Sequence, residues 1–420
     1  MTVLIAGGGI AGLTLALSLH RIGVACRVFE STDSIQPLGV GINTLPHAVR
    51  ELTELGLQDE LAATAIPTAE LVYYSKRGQR IWSEPRGQAA GYNWPQFSIH
   101  RGALQTILLD AVRRRLGADS VATGHHMIGW DETATGVRAH FIHRRSGAPM
   151  ASADGTLLIA ADGIHSAARA RLYPHEGKPV WNGAILWRGV THGAPFLTGR
   201  SMIMAGHEFQ KFVAYPISQA AALRGESAIN WIAERKFAAD HVWRREDWNR
   251  AGRLDDFLPQ FADWRFDWLD VPAVIQAAAE CYEYPMVDRD PVDRWTFGRM
   301  TLLGDAAHAM YPIGSNGASQ GILDARVLTR EIQAHGPTEL ALQAYEAERR
   351  PATTKIVLAN RGNGPEQVMQ LVEQRAPNGF DRIGDVLTPE ELEGTAAAYK
   401  RLAGFDVDGL NARPSIVRGR

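Results

Sequence analysis

A glycine-rich string near the start of the chain has the spacing of a phosphate-binding turn. Gly7, Gly9 and Gly12 form G-x-G-x-x-G directly after an apolar run, and Glu30 closes the next apolar run. Such glycines permit a tight turn, a close approach of pyrophosphate to the backbone, and close packing of helix on strand. A carboxylate at this distance accepts a ribose hydroxyl. The pattern predicts a dinucleotide site and favours a free 2′-hydroxyl.

Two further loops place acids after buried strands. "LLIAADG" ends in Asp162 and Gly163, and "LLGDAAH" contains Gly304 and Asp305. In a parallel sheet such loops meet at the carboxyl edge, where ligands bind. The glycine string alone does not distinguish NAD from FAD, because both carry an ADP-ribose pyrophosphate. Two additional acidic loops at the same edge favour a long, extended dinucleotide.

The surrounding patterns predict an α/β fold with a Rossmann-like domain. A strand at 2–6, a leucine-rich helix ending near Gly23 and a strand at 25–30 form one parallel strand-helix-strand unit. The predicted dinucleotide-binding domain is discontinuous and comprises residues 1–70, 99–180 and 288–361. Other predicted elements are hairpins at 70–84 and 136–155, a helix at 100–117, and helices near 318–334 and 338–361.

Seven of the eleven tryptophans lie between residues 181 and 268. Alternating apolar residues in this region predict a mostly antiparallel β-sheet with one solvent-facing side. We expect an inserted substrate-binding domain formed by residues 71–98 and 181–287. Residues 362–388 have a loop-like composition, and 389–402 a helical one. Residues 362–420 are therefore predicted to form a C-terminal helical tail with a loose end.

Composition and charge argue against several kinds of partner. The formal charge is −2 and the apolar fraction is 45 %, which does not favour nucleic acid as a partner. The basic cluster at 113–115 is interpreted as a solvated helix face. Cys26 and Cys281 match no metal or redox spacing, so no metal site is predicted. No apolar run is long enough to span a membrane, so a cytoplasmic protein without a membrane partner is expected.

The three signatures, in this order, resemble those of the class A flavoprotein monooxygenases, in particular their aromatic hydroxylases. The resemblance covers residues 1 to about 361 and is strongest to the phenazine-pathway 5-methylphenazine-1-carboxylate hydroxylases. It rests on the stretches "PLGVGIN", "PQFSIHRGALQ", "YPMVDRDP" and "MYPIGSNGASQGILDA". Members of the family often have an acidic pair where this chain has Leu323 and Asp324.

The resemblance implies a noncovalently bound FAD and residues that hold it. Asp305 would bind the ribityl chain, and Arg101 would contact the flavin side of the pyrophosphate. The glycine string and Glu30 would hold the adenosine end. The remaining cofactor contacts that the resemblance implies come from Ala11, Gly41, Met127 and Asp162.

The loop in "MYPIGSNGASQ" is assigned to the flavin ring by the same resemblance. Gly314, Asn316 and Gly317 would place backbone amides by the pyrimidine edge. This is physically reasonable, because amides at a helix start stabilise negative charge on a reduced ring. Pro312 would lie where oxygen reacts, which makes Pro312 and Gly314 the candidate catalytic positions.

The reaction implied by the resemblance is hydroxylation of an aromatic or heteroaromatic substrate, with a fused-ring carboxylate expected. NADH or NADPH would reduce the flavin, O2 would add at C4a, and the hydroperoxide would deliver its distal oxygen to the ring. Oxidative decarboxylation of the salicylate type is one alternative. A flavin-binding protein without turnover is another. A monomer or homodimer is expected.

Several residues keep two interpretations at this point. His308 in "GDAAH" is interpreted as a packed hydrogen-bonding residue. Asp162 and Arg169 could pair to hold their loop, or the loop could lie near the pyridine nucleotide. Trp187 and Tyr215 are the candidate substrate-binding residues, and packing within the sheet is the alternative for both.

Overall fold

The protein, seen in a computed structural model, is described here for residues 2–37, 39–238, 240–242, 250–362 and 366–418. The strands are β1 Thr2–Ala6, β2 Ala25–Phe29, β3 Gly41–Thr44, β4 Ile66–Thr68, β5 Glu70–Tyr74, β6 Arg80–Pro85, β7 Gln96–His100, β8 Val121–Ala122, β9 His126–Glu132, β10 Val137–Ile142, β11 Pro149–Gly155, β12 Leu157–Ala160, β13 Val180–Gly193, β14 Ser201–His207, β15 Gln210–Pro216, β16 Ser227–Lys236, β17 Arg265–Phe266, β18 Leu269–Asp270, β19 Cys281–Asp288, β20 Thr296–Phe297 and β21 Met300–Leu302.

Helices alternate with these strands in the first third and again near the end of the chain. They are α1 Ile10–Arg21, α2 Pro46–Glu54, α3 Gln58–Thr64, α4 Arg101–Leu116, α5 Ala167–Leu172, α6 Gln219–Ala222, α7 Val271–Gln276, α8 Asp305–His308, α9 Gly317–His335, α10 Glu339–Arg361, α11 Gln367–Arg375, α12 Pro389–Leu402 and α13 Val407–Ala412.

The first unit contains a six-stranded sheet with the strand order β20-β21-β12-β1-β2-β8. Its neighbours pair in parallel except β20 with β21. The central strands are apolar throughout because helices pack against the sheet, and residues 3–6 and 157–160 are almost fully buried. The predicted strand-helix-strand start, both hairpins, and the helices near 100–117, 318–334 and 338–361 are confirmed.

A seven-stranded sheet with the order β19-β13-β16-β15-β14-β5-β6 forms the second unit. It is antiparallel except for β14 with β5. Its strands come from the two segments predicted to form the substrate-binding domain. That division into domains stays a prediction, and the sheet supports it.

The seven-stranded sheet is covered on both faces. On one face an aromatic cluster packs under residues 254–276, and on the other Leu71, Met204 and Val213 pack against the C-terminal helix α11. The expected solvent-facing side is therefore wrong. The reason is that Val368, Met369 and later residues, which read as loop by composition, form an amphipathic helix over that face.

The C-terminal region is ordered more than its composition suggests. The helix predicted at 389–402 is confirmed, with a capping box formed by Thr388 and Glu391. Residues 362–388 contain α11, so the prediction of a loop there is wrong. The end is not loose either, because Phe405, Leu410 and Val417 are each at most 2 % exposed.

Most of the tryptophans of the aromatic region are core residues. Trp187 and Trp231 are buried between the sheet and Phe257, and the Trp187 and Phe257 rings stack at 4.7 Å. Alternate residues of a strand face opposite sides of a sheet. Trp187 packs on one face of the seven-stranded sheet and Tyr215 on the other. The two candidate substrate-binding residues therefore do not line the same side of the sheet. Trp243 and Trp248 lie outside the described residues.

The described part of the chain contains no helix with the length and apolarity needed to cross a bilayer. The same residues contain no group of three or more His, Cys, Asp or Glu side chains arranged to hold a metal ion.

The cover formed by α11 generates a stability prediction. Met369→Ala should lower the free energy of unfolding by about 2 to 5 kcal/mol, because it leaves a cavity against β14. Gln374→Ala, on the exposed side of the same helix, is the matched control and should change it little. Urea unfolding followed by fluorescence measures both. Equal, small effects would show that α11 does not cover the sheet.

Candidate functional site

The carboxyl edge of the six-stranded sheet gathers the glycine loop and three acids. Gly7 follows β1, Glu30 follows β2, Asp162 follows β12 and Asp305 follows β21. These four strands are consecutive neighbours and run in parallel. The structure therefore brings together the residues that the sequence predicted to meet.

The three glycines of the string have distinct surroundings. Gly7 has φ +117°, and a Cβ there would lie 2.2 Å from the Ala161 carbonyl oxygen. A Cβ on Gly12 would lie 2.1 Å from the Gly7 carbonyl oxygen. A Cβ on Gly9 would meet no atom of the described residues within 4 Å. Gly7 and Gly12 are thus required by packing, and Gly9 faces open space at the start of α1.

Glu30 lies at the carboxyl edge of the six-stranded sheet and holds the glycine loop in place by hydrogen bonds. Its Oε2 accepts a hydrogen bond from the Gly8 amide at 2.8 Å, and its Oε1 accepts one from the Thr32 amide at 2.8 Å. Gln105 on α4 donates to the Gly8 carbonyl at 2.8 Å. A carboxylate has about four acceptor positions. Glu30 therefore keeps acceptor capacity for a ribose hydroxyl while it fixes the loop.

Asp162 caps a helix, and Arg169 reaches a different loop. Asp162 Oδ2 accepts from the Ala167 amide at 2.8 Å at the start of α5. Burial raises the pKa of Asp162, against the opposing effect of its hydrogen bonds. The Arg169 guanidinium donates to the Ala306 and Ala307 carbonyls. An Asp162–Arg169 pair does not form. Arg169 instead ties α5 to α8, so the two acidic loops are joined.

Asp305 is the exposed residue in an otherwise buried run from 301 to 309. The turn before it is fixed by Asp324, whose Oδ2 accepts from the Gly304 amide at 3.1 Å and from His308 Nε2 at 2.5 Å. Arg349 donates to the other oxygen at 2.6 Å. Burial acts to raise the pKa of Asp324, but His308 and Arg349 outweigh it and lower the pKa to about 2.

This arrangement gives His308 the packed role that the sequence interpretation favoured, since it is buried and bonded to Asp324. The roles of Asp324 and Arg349 were not identified from the sequence, where Asp324 was noted only at the position of the family's acidic pair. The available signal was an acid directly after the apolar residues Ile322 and Leu323, because a buried carboxylate must be paired.

The loop from Pro312 to Gly317 has unusual backbone geometry. Gly314 has φ +70° and Ser315 has φ +55°. Positive φ is strained for a non-glycine residue and is concentrated at functional sites. A Cβ on Gly314 would lie 2.3 Å from Tyr399 Oη. Pro312 is exposed, and the amide end of α9 begins directly after Asn316.

Gly41 begins β3 and joins the three-stranded sheet β3-β7-β4 to the seven-stranded sheet. Its amide donates to Asn230 Oδ1 at 2.6 Å, and its carbonyl accepts from Tyr215 Oη at 2.9 Å and from Arg188 at 2.7 Å. A Cβ on Gly41 would lie 2.7 Å from the Asn230 side chain. Both polar backbone groups of Gly41 are therefore used within the protein, and the Tyr215 phenol is engaged by this junction.

The other predicted cofactor residues occupy different surroundings. Arg101 begins α4 beside Gly39 and is exposed. Ala11 lies in the first turn of α1, close to Gly304 and Gly321. Met127 is 4 % exposed and its side chain packs in the core of the first unit. The structure thus leaves Arg101 open to a ligand and gives Met127 a packing role.

A partly open cavity lies between the seven-stranded sheet, the loop at Gly314 and Ser315, and the C-terminal region, with about 430 Å³ of empty space that includes space open to solvent. Its apolar walls come from Leu45, Leu71, Met202, Met204 and Phe405. Its polar lining comes from Tyr73, Glu84, Arg86, Gln96, Tyr399 and Lys400. None of these lining residues, apart from Gly314, was singled out from the sequence.

Comparison with known proteins gives the family. The model of the FAD binding domain family matches residues 1–360. The chain is 50 % identical over 361 residues to phenazine 1,6-dicarboxylic acid hydroxylase PhzS of Lysobacter antibioticus, covering 86 % of this chain and 89 % of that protein. It is 30 % identical over 420 residues to a 3-amino-4-hydroxybenzoate 2-monooxygenase of Streptomyces cremeus, covering 98 % of each.

Solved structures share the fold. HpxO of Klebsiella pneumoniae, complexed with FAD and uric acid, has a TM-score of 0.72 at 24 % identity, covering 96 % of this chain and 92 % of that chain. A salicylate hydroxylase substrate complex has a TM-score of 0.71 at 23 % identity, covering 96 % and 98 %.

The resemblance suggested by the three signatures is thereby confirmed, as are the fold and the cofactor. The edge that collects Gly9, Glu30 and Asp305 has the donors, acceptors and free space that a dinucleotide needs. This chain belongs to the FAD binding domain family and is an FAD-dependent aromatic hydroxylase.

Proposed function

We propose that this chain hydroxylates a fused-ring or heteroaromatic carboxylate in the cavity beside Gly314, using FAD bound along the edge of the six-stranded sheet. The observation that carries the proposal is the position of that cavity. Both apolar and charged side chains line it, and Gly314 and Ser315 form part of its wall. Apolar pockets with a few polar groups are typical of small-molecule sites.

The described residues fit an extended FAD. The open space before Gly9 at the start of α1 suits the pyrophosphate. Glu30 would accept from the adenosine ribose, Asp305 from the ribityl chain, and Arg101 would pair with phosphate. Asp162 would stand by the same groove, with Ala11 behind it. For Gly41 and Met127 the contacts seen inside the protein favour a structural role.

Bound FAD would supply the redox chemistry, accepting hydride from NADH or NADPH and activating O2 for transfer of one oxygen atom to the ring. The protein's own groups would orient and enclose the reactants. Amides of Gly314 and Gly317 at the start of α9 would stabilise negative charge at the ring edge. The apolar cavity walls would exclude water from the reacting atoms.

The relatives support an aromatic acid as substrate. The Lysobacter and Streptomyces proteins are named for phenazine 1,6-dicarboxylic acid and for 3-amino-4-hydroxybenzoate, and both are aromatic carboxylates. The higher identity is to the fused-ring hydroxylase. We therefore propose a fused ring, with either a monomer or a homodimer as the working enzyme.

Oxidative decarboxylation of a salicylate-type acid is the second candidate, since the fold is shared with a salicylate hydroxylase complex. The two reactions differ in whether CO2 is released. The remaining alternative, a protein that binds FAD without turnover, is disfavoured by the named hydroxylase and monooxygenase relatives.

A substrate screen tests the proposal. Oxidation of NADH and of NADPH is followed with phenazine, quinoline and pyridine carboxylates beside salicylate and hydroxybenzoates, together with peroxide yield and product mass. We expect coupled hydroxylation of a fused-ring or heteroaromatic acid. Coupled turnover of salicylate alone would reassign the substrate, and no response to any aromatic compound would refute the enzyme function.

The glycine loop provides a matched pair of substitutions. Gly9→Ala should leave the apoprotein as stable as wild type but weaken FAD binding, because the new methyl group would occupy the space proposed for pyrophosphate. Gly12→Ala should destabilise the fold itself, because its methyl group would collide with the Gly7 carbonyl. Thermal unfolding of the apoproteins and FAD titration measure the two effects. Undiminished FAD affinity in Gly9→Ala would place the pyrophosphate elsewhere.

The two acids proposed for the ends of FAD generate a further prediction. Asp305→Ala and Glu30→Ala should each raise the FAD dissociation constant by about 10- to 100-fold, the effect of losing one hydrogen bond to a charged group. Fluorescence titration of the apoprotein measures it. The exposed acid Asp119, which lies just beyond the C-terminal end of α4, serves as control, and Asp119→Ala should bind FAD like wild type. An unchanged constant in Asp305→Ala would contradict its assignment.

The strained loop from Pro312 to Gly317 should control how completely oxidation of NADH or NADPH is coupled to hydroxylation of the substrate. Pro312→Gly should retain FAD but increase the share of NADH or NADPH electrons that end in hydrogen peroxide, because the loop gains backbone freedom and admits water. Peroxide yield per reduced nucleotide consumed is the measurement. If rate and coupling both match wild type, the loop does not lie beside the reacting atoms.

A further inference from the structure

We propose that Arg86 and Lys400 form the site that recognises the substrate carboxylate, so that the C-terminal helix α12 supplies part of the enzyme's specificity. This inference rests on the proposed function, because it concerns the same cavity. It names the residues that select an acid and gives a role to residues beyond the part of the chain that the family model matches.

Both apolar and cationic side chains line the cavity. Leu71, Met202 and Met204 of the sheet and Phe405 of the C-terminal region form surfaces on which a flat ring can pack. Arg86, which directly follows β6, and Lys400 on α12 line the same cavity. Apolar walls beside cationic groups suit an aromatic ring that carries a carboxylate.

Glu84 places the two cations side by side. Its Oε2 accepts from Arg86 at 2.9 Å, and its Oε1 forms an ion pair with Lys400. Burial acts to raise the pKa of Glu84, but Arg86 and Lys400 outweigh it and the pKa is lowered. The carboxylate therefore stays ionised and neutralises one of the two cations. One positive charge remains for a second carboxylate.

Tyr73 and Arg86 are neighbours in the cavity wall. The Arg86 guanidinium interacts with the Tyr73 hydroxyl and acts to lower the pKa of Tyr73, but burial outweighs it and raises the pKa. Among the described residues, neither Arg86 Nε nor the Tyr73 hydroxyl makes a hydrogen bond of regular geometry, and Tyr73 is only 1 % exposed. A bound carboxylate offers acceptors for both donors, so these two groups suit an anionic ligand.

A second charged group lies outside the cavity lining. Lys211 forms ion pairs with both Glu366 and Glu234, so one lysine faces two carboxylates. Burial raises the pKa of Glu234, although Lys211 opposes this effect. None of these three side chains lines the cavity, so none of them accepts a hydrogen bond from Arg86 there.

Helix α12 is held in place against the loop that meets the cavity. Tyr399 donates to Asn360 Oδ1 at 3.0 Å and lies within 3.4 Å of the Ile313 carbonyl. Phe405, which follows the helix, accepts from Tyr92 at 2.6 Å through its carbonyl. The family match ends at residue 360. Lys400 therefore reaches the cavity from beyond the part of the chain that the family model matches.

Equilibrium binding to the FAD-loaded, oxidised enzyme without reductant tests the inference. Phenazine-1-carboxylate is compared with phenazine-1-carboxamide, which keeps the ring and removes the charge. Wild type should bind the acid more tightly than the amide. Lys400→Met should weaken acid binding by about tenfold, a typical effect of one charge-assisted hydrogen bond, and leave amide binding nearly unchanged. Lys400→Arg should restore the preference for the acid.

Two further variants separate recognition from folding. Arg401→Met removes an exposed cation from the next position of the same helix and should bind both ligands like wild type. Glu84→Gln removes the competing carboxylate and should bind the acid more tightly than wild type. A purely structural ion network predicts the opposite, a loss of stability with no gain in binding. Equal weakening of acid and amide in Lys400→Met would overturn the inference.

Failure of the inference differs from failure of the proposed function. If wild type hydroxylates aromatic compounds but binds acid and amide equally, the function stands and the carboxylate site is wrong. If no aromatic compound stimulates NADH or NADPH oxidation and none binds, the proposed function itself fails, and with it the site.

Discussion

One buried carboxylate fixes the geometry on which the cofactor edge depends. Asp324 accepts hydrogen bonds from the Gly304 amide, His308 and Arg349. These bonds tie the turn after β21 to helices α9 and α10. The turn presents Asp305 at the carboxyl edge of the six-stranded sheet, and α9 begins where the loop at Gly314 ends. Removing the carboxylate would leave Arg349 buried and unpaired, which is more costly than losing one hydrogen bond.

A second constraint sets the relation of the three-stranded sheet β3-β7-β4 to the seven-stranded sheet. Gly41 uses both its backbone polar groups to bond Asn230, Tyr215 and Arg188 on the seven-stranded sheet. A side chain at this position would collide with Asn230. The two sheets can therefore approach closely at this backbone position. The cavity lined by Arg86 and Lys400 has the strained loop at Gly314 and Ser315 in its wall.

The cofactor edge could be predicted from the sequence because its determinants are local. A glycine string, a following acid and two strand-ending aspartates each depend on a few adjacent residues. The substrate side could not be predicted in the same way. Trp187 and Tyr215 both lie on strands with alternating apolar residues, but their side chains are on opposite faces of the sheet. Which face meets the flavin depends on how the sheets pack against each other. Residues 362–388 read as loop because Gly and Pro flank a short helix whose stability comes from the sheet beneath it. Lys400 is distant from every motif in the chain.

The central claim is that one cavity holds an aromatic acid against the cofactor that activates oxygen. The most direct test supplies isotopically labelled O2 with unlabelled water and measures the mass of the product formed from a phenazine carboxylate. The account predicts that the product gains one labelled oxygen atom for each NADH or NADPH oxidised in coupled turnover. An unlabelled product, or reduction of O2 to peroxide with the acid recovered unchanged, would contradict it.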